Sequence, residues 1–588
     1  MSCQNLCPQY LMMLLAQTLR RLMVLWDLGD LPGLPQDLIR DQIPLVLLQI
    51  LHRTLHLQNP DGSWGKEASL EGSAYAVLTL VDASLFPWTE PLDAQAALAI
   101  GKGREFLSQS RDRWSEANYI WIEKVSYSSS VLSKTYCIAA IKAATLYPTP
   151  YQWTTSAHDL VDISSEKILK FSQFFSQIPL FADEPEWKLK ASLIEGYLFL
   201  PRLRRVRLDV FPRKDMTEDK YLEYIPFTWT SCNNRGAFLE ADLLWDMMVI
   251  SMLNFQVDEF MEAVVGTHFA HDQVLIQQLV EWLCVMSAEP ASSPSVPSGG
   301  ATSNFMGEST MNKGTLTPPL TGYGSPTTLT TVESALRRFT AHVLRHPRIA
   351  AASQFSRSNL AAHLQSFLLA HLKHCSDNTI FAAQAQNLSP TATPTFAADT
   401  TYWEWARTTG ATNTSCPYSW AWLTCRLAGG RGCYSPNGTA PEDDEPFPSA
   451  AAKFLAQDMA ARLASMCRMY NDYGSQARDR TELNLNSVNF PEFERCGGGQ
   501  GGRGGGGGGE PARKRRRTEP PDHASDLRAR KAALLELAEF ERAGVEAARA
   551  RLLPMVSKRV RAVVGVFVDV TDLYGQIYVA RDIGSRTR

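Results

Sequence analysis

The sequence predicts an all-α protein, and three observations carry that prediction. Apolar residues recur at helical spacing through most of the chain, Pro/Gly breaks punctuate them, and the alternation of a half-buried strand is scarce. No period of 20 to 50 residues repeats cleanly, so a solenoid or propeller is not expected.

The elements follow in order. The opening run "CPQYLMMLLAQTLRRLMVLWDLG" lacks a basic leader and is interrupted by Gln17, Arg20 and Arg21, which predicts an amphipathic helix and not a signal peptide. Up to residue 155, helical patterns alternate with the breaks "LPGLPQD", "NPDGSWG" and "LYPTPYQW", the pattern of helix pairs joined by short turns. Longer helices follow, among them "GAFLEADLLWDMMVISMLNFQVDEFMEAVV", apolar on nearly every side and so predicted to be buried. Residues 287–330 are rich in Ser, Thr, Pro and Gly and predict a surface loop. Helices resume with "VESALRRFTAHVLRH", "SNLAAHLQSFLLAHLKHC" and "AAAKFLAQDMAARLASMCRMYNDYGS". A second low-complexity segment, 496–525, precedes the charged amphipathic run "LRARKAALLELAEFERAGVEAARARL". The final "VRAVVGVFVDVTDLYGQIYVARD" fits strand or helix by periodicity and is read as helix from its surroundings.

A chain of 588 residues implies two to four domains, and 45% hydrophobic with 20% charged residues is a globular composition. The net charge of −3 gives no global attraction for nucleic acid or an acidic membrane, so any anion must be held locally. Eleven scattered cysteines form no CxxC pair, which points to reduced thiols and a cytoplasmic location. No stretch approaches the roughly 18 unbroken apolar residues of a membrane span, and membrane insertion is not expected. The basic run "RKRRR" at 513–517 is read as a solvated insertion, with no nucleic-acid partner. His52 and His56 form an HxxxH pair without the further ligands of a zinc enzyme.

Two places carry chemistry. Asn471, Ser475 and Asp479 are spaced one turn apart, so a helix stacks three oxygen-bearing side chains on one face, presented either to a metal ion or to solvent. Asp258 and Glu262 stand at i and i+4 near the end of an apolar helix, where desolvation and the helix dipole both disfavour carboxylates unless a cation or a cavity rim accounts for them. Hard oxygen donors of this kind suit Mg²⁺, which shares its coordination with substrate phosphates. Arg468 and Arg478 border the same face, so the two places together point to a Mg²⁺–diphosphate site. Phe227, Trp229, Trp403, Trp405, Trp420 and Trp422 are the aromatic candidates for holding a cation in a dry pocket.

The ordered set "QNPDGSWG", "FTWTSCNN", "VDEFMEAVVG", "TSCPYSWAWLTC", "RMYNDYGSQARDR", "NLNSVNFPEF" and "DLYGQIYVARDI" resembles fungal bifunctional diterpene cyclases of the ent-copalyl diphosphate synthase/ent-kaurene synthase type. The resemblance covers almost the whole chain outside the two low-complexity segments. It implies an all-α fold with a partial terpene-cyclase β-type α-barrel over 1–155 and a class I terpenoid synthase α-helical bundle over 156–588. In it, Asp258 and Glu262 match the ends of a DExxE motif holding two Mg²⁺ ions. Asn471, Ser475 and Asp479 match the motif holding a third, with Asp479 replacing the usual Glu, and Arg468 matches an arginine that contacts the departing diphosphate. Gln58, Asp61 and Trp64 are expected to be structural, tying helix ends together.

The implied activity is that of a terpene synthase, a carbon–oxygen lyase acting on a prenyl diphosphate. It ionises and cyclises ent-copalyl diphosphate to ent-kaurene or a related diterpene, as in gibberellin biosynthesis, with downstream oxidases as pathway partners. The DxDD motif of the class II step is missing: "PEDDEP" at 441–446 and "DVTD" at 569–572 do not match it, so class II isomerase activity is not expected. The chain is accordingly expected to begin after that motif. A synthase with another product and an inactive, scaffold-like remnant are the alternatives.

Overall fold

The computed structural model describes residues 8–65, 67–117, 120–122, 125–148, 151–154, 160–161, 164–211, 221–288, 326–386, 394–397, 399–428, 445–497 and 523–580. Most of both low-complexity segments, "RKRRR" and most of "PEDDEP" therefore lie outside the described residues. The all-α class holds. The strand content among the described residues is a single antiparallel hairpin of β1 (Ile120–Ile122) and β2 (Val125–Tyr127), with Ile120 opposite Tyr127.

By compactness the chain divides into two units, Met1–Arg205 with Leu222–Met248, and Val206–Tyr221 with Val249–Arg588. The helices around residues 165–205 and 222–248 group with the first unit.

The first unit contains α1 (Pro8–Asp27), α2 (Ile43–His56), α3 (Leu70–Ala83), α4 (Asp93–Gln109) and α5 (Ser130–Leu146), then α6 (Ser165–Ser176), most of α7 (Glu186–Val210) and α8 (Tyr224–Asn233). Serine hydroxyls start three of these helices: Ser69, Ser129 and Ser164 each accept a bond from a backbone N–H of the first turn, which a helix otherwise leaves unpaired. The Gln58–Trp64 segment closes the other end of α2. Trp64 Nε1 donates to the Thr54 carbonyl at 2.7 Å, one of the last four of α2, which lack helical partners. Gln58 Nε2 donates to the Ala99 carbonyl of α4 at 2.9 Å, and Asp61 Oδ1 accepts from both the backbone and hydroxyl of Ser63. His52 and His56 pack their rings on Phe238, and burial drives the His52 pKa down to about 3.

Helix α9 (Ala241–Phe260) runs from the first unit's residues into the second's and continues into a π-helical turn, Met261–Gly266. The second unit adds α10 (Gln273–Ala288), α11 (Pro326–Leu344), α12 (Gln354–Ala385), the short α13 (Tyr402–Arg407) and α14 (Thr409–Asn413), α15 (Cys416–Ala428), α16 (Ala450–Glu482), α17 (His523–Leu552) and α18 (Lys558–Ala580). The last is the segment whose periodicity fits strand or helix. Its burial between neighbours selects the helix.

Helices α16 and α18 approach closely through two glycines. A Cβ at Gly474 would stand 2.6 Å from the Tyr578 carbonyl oxygen, and one at Gly575 would stand 2.5 Å from the Tyr470 ring. Helix α16 ends where Leu483 takes the left-handed conformation, φ 57°, and turns the chain away just past Asp479. Helix α18 is long and apolar enough to cross a membrane by length and composition, but 67% of its apolar window is buried inside the protein. Its Asp569 and Asp572, in the run set aside as a class II motif, pair with Arg549 and Arg542 of α17.

Candidate active site

The second unit brings the two predicted places into one electrostatic neighbourhood. Asp258 lies in the last turn of α9, and Glu262 lies in the π-helical turn that follows. The spacing of i and i+4 thus crosses from α to π geometry, a widening common at functional sites. Gly266 closes this turn against α12, where an added Cβ would stand 3.1 Å from Cys375 Sγ.

Two histidines of α12 meet the two carboxylates. His371 Nδ1 stands 3.3 Å from Asp258 Oδ1, and His374 Nδ1 stands 3.8 Å from Glu262 Oε1. Both rings are buried, which lowers their pKa values. For His371 that effect outweighs the opposing pull of Asp258, and for His374 the charge of Arg468 adds to it. Neutral imidazoles make these contacts close approaches and not ion pairs. Both ring nitrogens of His374 lack a hydrogen-bond partner among the described residues. The Asp258 and Glu262 side chains keep 45% and 43% of their surface open. Yet the protein crowding the Glu262 carboxyl, and then the charge of Asp258, push its pKa up.

The other wall is α16. Ser475 and Asp479 are buried, Asn471 is half-buried, and Ser475 Oγ donates to Asp479 Oδ2 at 2.5 Å. Asn486, just beyond the helix, donates to the same oxygen at 2.8 Å and to the Asp472 carbonyl at 2.8 Å. Burial, then the Asp472 charge, raises Asp479 to about 6, against the pull of these two bonds. Arg468 is buried and ion-paired with Asp472 one turn away. Its Nη1 donates to Asn413 Oδ1 at 3.4 Å, and its guanidinium lies 5.6 Å from the Trp405 ring centre. Burial opposes its charge, and the Asp472 carboxylate overrides burial and raises the pKa. Asp472 is itself fixed by the Ser487 N–H at 2.8 Å and hydroxyl at 2.6 Å. Arg478 is more open, donating to the Tyr221 hydroxyl at 3.4 Å.

The walls act on each other. The charges of Arg468, Asp479 and Arg478 reach Glu262, and those of Asp479 and Asp258 reach Arg468. No three His, Cys, Asp or Glu side chains among the described residues form a ready metal cage. The donors present, carboxylate, amide and hydroxyl oxygens, are those a hard divalent cation takes.

Of the expected aromatics, Trp405, Trp420 and Trp422 are buried in this unit. Trp403 is 68% exposed and stacks with Arg407 at the surface, because it follows the capping Thr401 on the outward face of α13. Phe227 and Trp229 belong to the first unit. The rings in line with Asp258 are others: Phe260, Phe211, Phe339, Tyr418 and Phe367 run in sequence with centroids 4.7 to 6.4 Å apart, and Phe367 meets His371 edge-on at 4.6 Å. Sequence reasoning missed these rings and also His371, His374, Asn413, Asp472 and Asn486. The i, i+3 histidines of "AHLKHC" and the i, i+4 pair of Arg468 with Asp472 were the legible signals.

Comparison with known proteins shows what the chain is similar to. The chain is 37% identical over 98% of its length to pimaradiene synthase of Emericella nidulans. It is 33% identical over 98% to phyllocladan-16-alpha-ol synthase of Phomopsis amygdali, and 30% identical over 99% to ent-kaur-16-ene synthase of Fusarium fujikuroi. These alignments cover 54%, 55% and 56% of the relatives, so the chain spans about half the length of the curated relatives it matches. No family model matches it. The chain's relatives are fungal diterpene synthases.

Proposed function

We propose that this chain is a class I diterpene synthase that takes a bicyclic prenyl diphosphate such as ent-copalyl diphosphate and releases a cyclised hydrocarbon of the ent-kaurene kind with diphosphate. The observation that supports the reading is the mutual influence of the charges of Asp258, Glu262, Asp479, Arg468 and Arg478, with Ser475 bonded to Asp479 on the same face of α16. Two Mg²⁺ ions would be held by Asp258 and Glu262, and a third by Asn471, Ser475 and Asp479. Bound Mg²⁺ supplies the charge neutralisation that makes diphosphate a competent leaving group.

This chain's own residues do the rest. Arg478, partly open, meets the diphosphate oxygens, and Arg468 adds a fixed positive charge behind them. The C–O bond breaks with its electron pair leaving on the diphosphate, and the aromatic series from Phe260 to Phe367 supports the resulting allylic cation and excludes water. The buried His371 and His374 stay neutral and so do not oppose that cation. The reading includes a cytoplasmic location, with α18 as a core helix and not an anchor.

A second reading concerns the product. Identity is 37% to the pimaradiene synthase against 30% to the ent-kaur-16-ene synthase, which favours pimaradiene as the alternative hydrocarbon. Gas chromatography of hexane extracts tests both, after incubating the chain with Mg²⁺ and either ent-copalyl diphosphate or geranylgeranyl diphosphate beside Asp258→Ala. A hydrocarbon formed from the bicyclic substrate and lost in the variant is expected. Silence with both substrates from a folded, monodisperse sample would overturn the reading in favour of an inactive remnant.

A further inference from the structure

We propose that Asn413 is a positioning residue that joins Arg468 to His371, fixes the His371 proton on Nε2, and so leaves the Asp258 carboxylate with no donor from that ring. The inference deepens the proposed function and rests on it for the roles of Arg468 and Asp258.

The argument is one of hydrogen-bond polarity. A guanidinium has donors only, so the Asn413 atom facing Arg468 Nη1 at 3.4 Å must be the amide oxygen. The Asn413 amide nitrogen then faces His371 Nδ1 at 3.0 Å. An amide nitrogen donates, so Nδ1 must accept, and an accepting Nδ1 puts the single proton of the neutral ring on Nε2. His371 Nε2 has no hydrogen-bond partner among the described residues, so the proton's place is decided at Nδ1, where the Asn413 amide donor competes with the Asp258 carboxylate.

Asp258 feels the result. His371 Nδ1 and Asp258 Oδ1 stand 3.3 Å apart with a lone pair on each and no proton between them. That approach is unfavourable as it stands and is relieved when a cation draws the carboxylate's charge. With the opposite tautomer, His371 would donate to Asp258 and compete with a metal for the same oxygen. The three linked side chains therefore run from α16 through α14 to α12 and keep a carboxylate of α9 free. Diphosphate held near Arg468 and a divalent cation held at Asp258 become coupled through Asn413.

Two measurements on the full chain test this. The first is two-bond proton–nitrogen correlation NMR of ¹⁵N-histidine protein, with the His371 signals assigned by their loss in His371→Gln. Wild type is expected to carry the proton on Nε2, and Asn413→Asp, which offers only acceptors, to move it to Nδ1. An Nδ1 proton in wild type, or an unchanged pattern in Asn413→Asp, overturns the proposal. If Asn413→Asp does not fold, Asn413→Leu replaces it, and a proton remaining wholly on Nε2 there overturns the proposal equally. The second is calorimetry of Mg²⁺ binding with inorganic pyrophosphate present. Both Asn413 variants are expected to weaken it by about fivefold or more, a typical strength for coupled sites, and an unchanged affinity overturns the coupling. Absence of Mg²⁺–pyrophosphate binding in wild type instead overturns the proposed function, leaving the tautomer measurement to decide the role of Asn413.

Discussion

Arg468 and Asp472 form a buried ion pair one helical turn apart on α16, with 8% and 0% of their side chains exposed. The pair sits between two sets of partners, Asn413 on one side and Ser487 on the other, so neither charge is left to burial alone.

Removing one member of such a pair strands the other. Asp472→Ala is expected to lower stability by about 3–5 kcal/mol, measured by urea denaturation. The double variant Arg468→Met/Asp472→Leu should recover most of that loss while losing turnover, because the apolar pair has no stranded charge and no cation for the diphosphate.

The pH dependence of stability follows from Asp479. Its pKa in the folded protein, about 6, is above its ordinary 3.8, so the contribution of this group is fully present below about pH 4 and is lost as pH rises through 6. Asp479→Asn should match wild type near pH 4 and exceed it by up to about 3 kcal/mol above pH 7 in metal-free buffer. Thermal unfolding across that range checks it. Saturating Mg²⁺ with pyrophosphate should shrink or reverse the difference, since the amide is a poorer cation ligand.

The close approach of α16 and α18 predicts intolerance at a small residue. Gly474→Ala brings a methyl group to 2.6 Å from a backbone oxygen, which cannot rotate away. A loss of about 1–3 kcal/mol is expected by denaturant titration. The wider consequence is a displaced Asp479 face, read as a raised Mg²⁺ requirement.

In the first unit, Trp64→Phe keeps the ring and deletes the donor to Thr54. The unpaired carbonyl at the end of α2 should cost about 1–3 kcal/mol, read as a lowered unfolding midpoint.

Much of this arrangement was legible as pattern. The i, i+4, i+8 spacing of Asn471, Ser475 and Asp479 required only a helix, and α16 provides one. The cap residues of α3, α5, α6, α12 and α16 are all serines visible in the sequence. What was not legible depends on distance through space. Asn413 and His371 are 42 positions apart and meet only because α14 packs on α12. Trp403 and Trp405 read alike in sequence, and only the orientation of a six-residue helix sends one to solvent and the other beneath Arg468. The hairpin of β1 and β2 was missed because strands of three residues are too short to display a period.

The glycines of α16 and α18 have a consequence for how this chain can change over generations. Gly474 faces Tyr578 while Gly575 faces Tyr470, so each bulky partner is tolerated only because the opposite helix carries no side chain there. The four positions behave as two interlocked pairs. A larger residue at Gly575 becomes acceptable only after Tyr470 has shrunk, and one at Gly474, which meets the Tyr578 backbone, only after the helices have moved apart, so substitutions here should be strongly epistatic, with the order of mutation deciding which sequences are reachable.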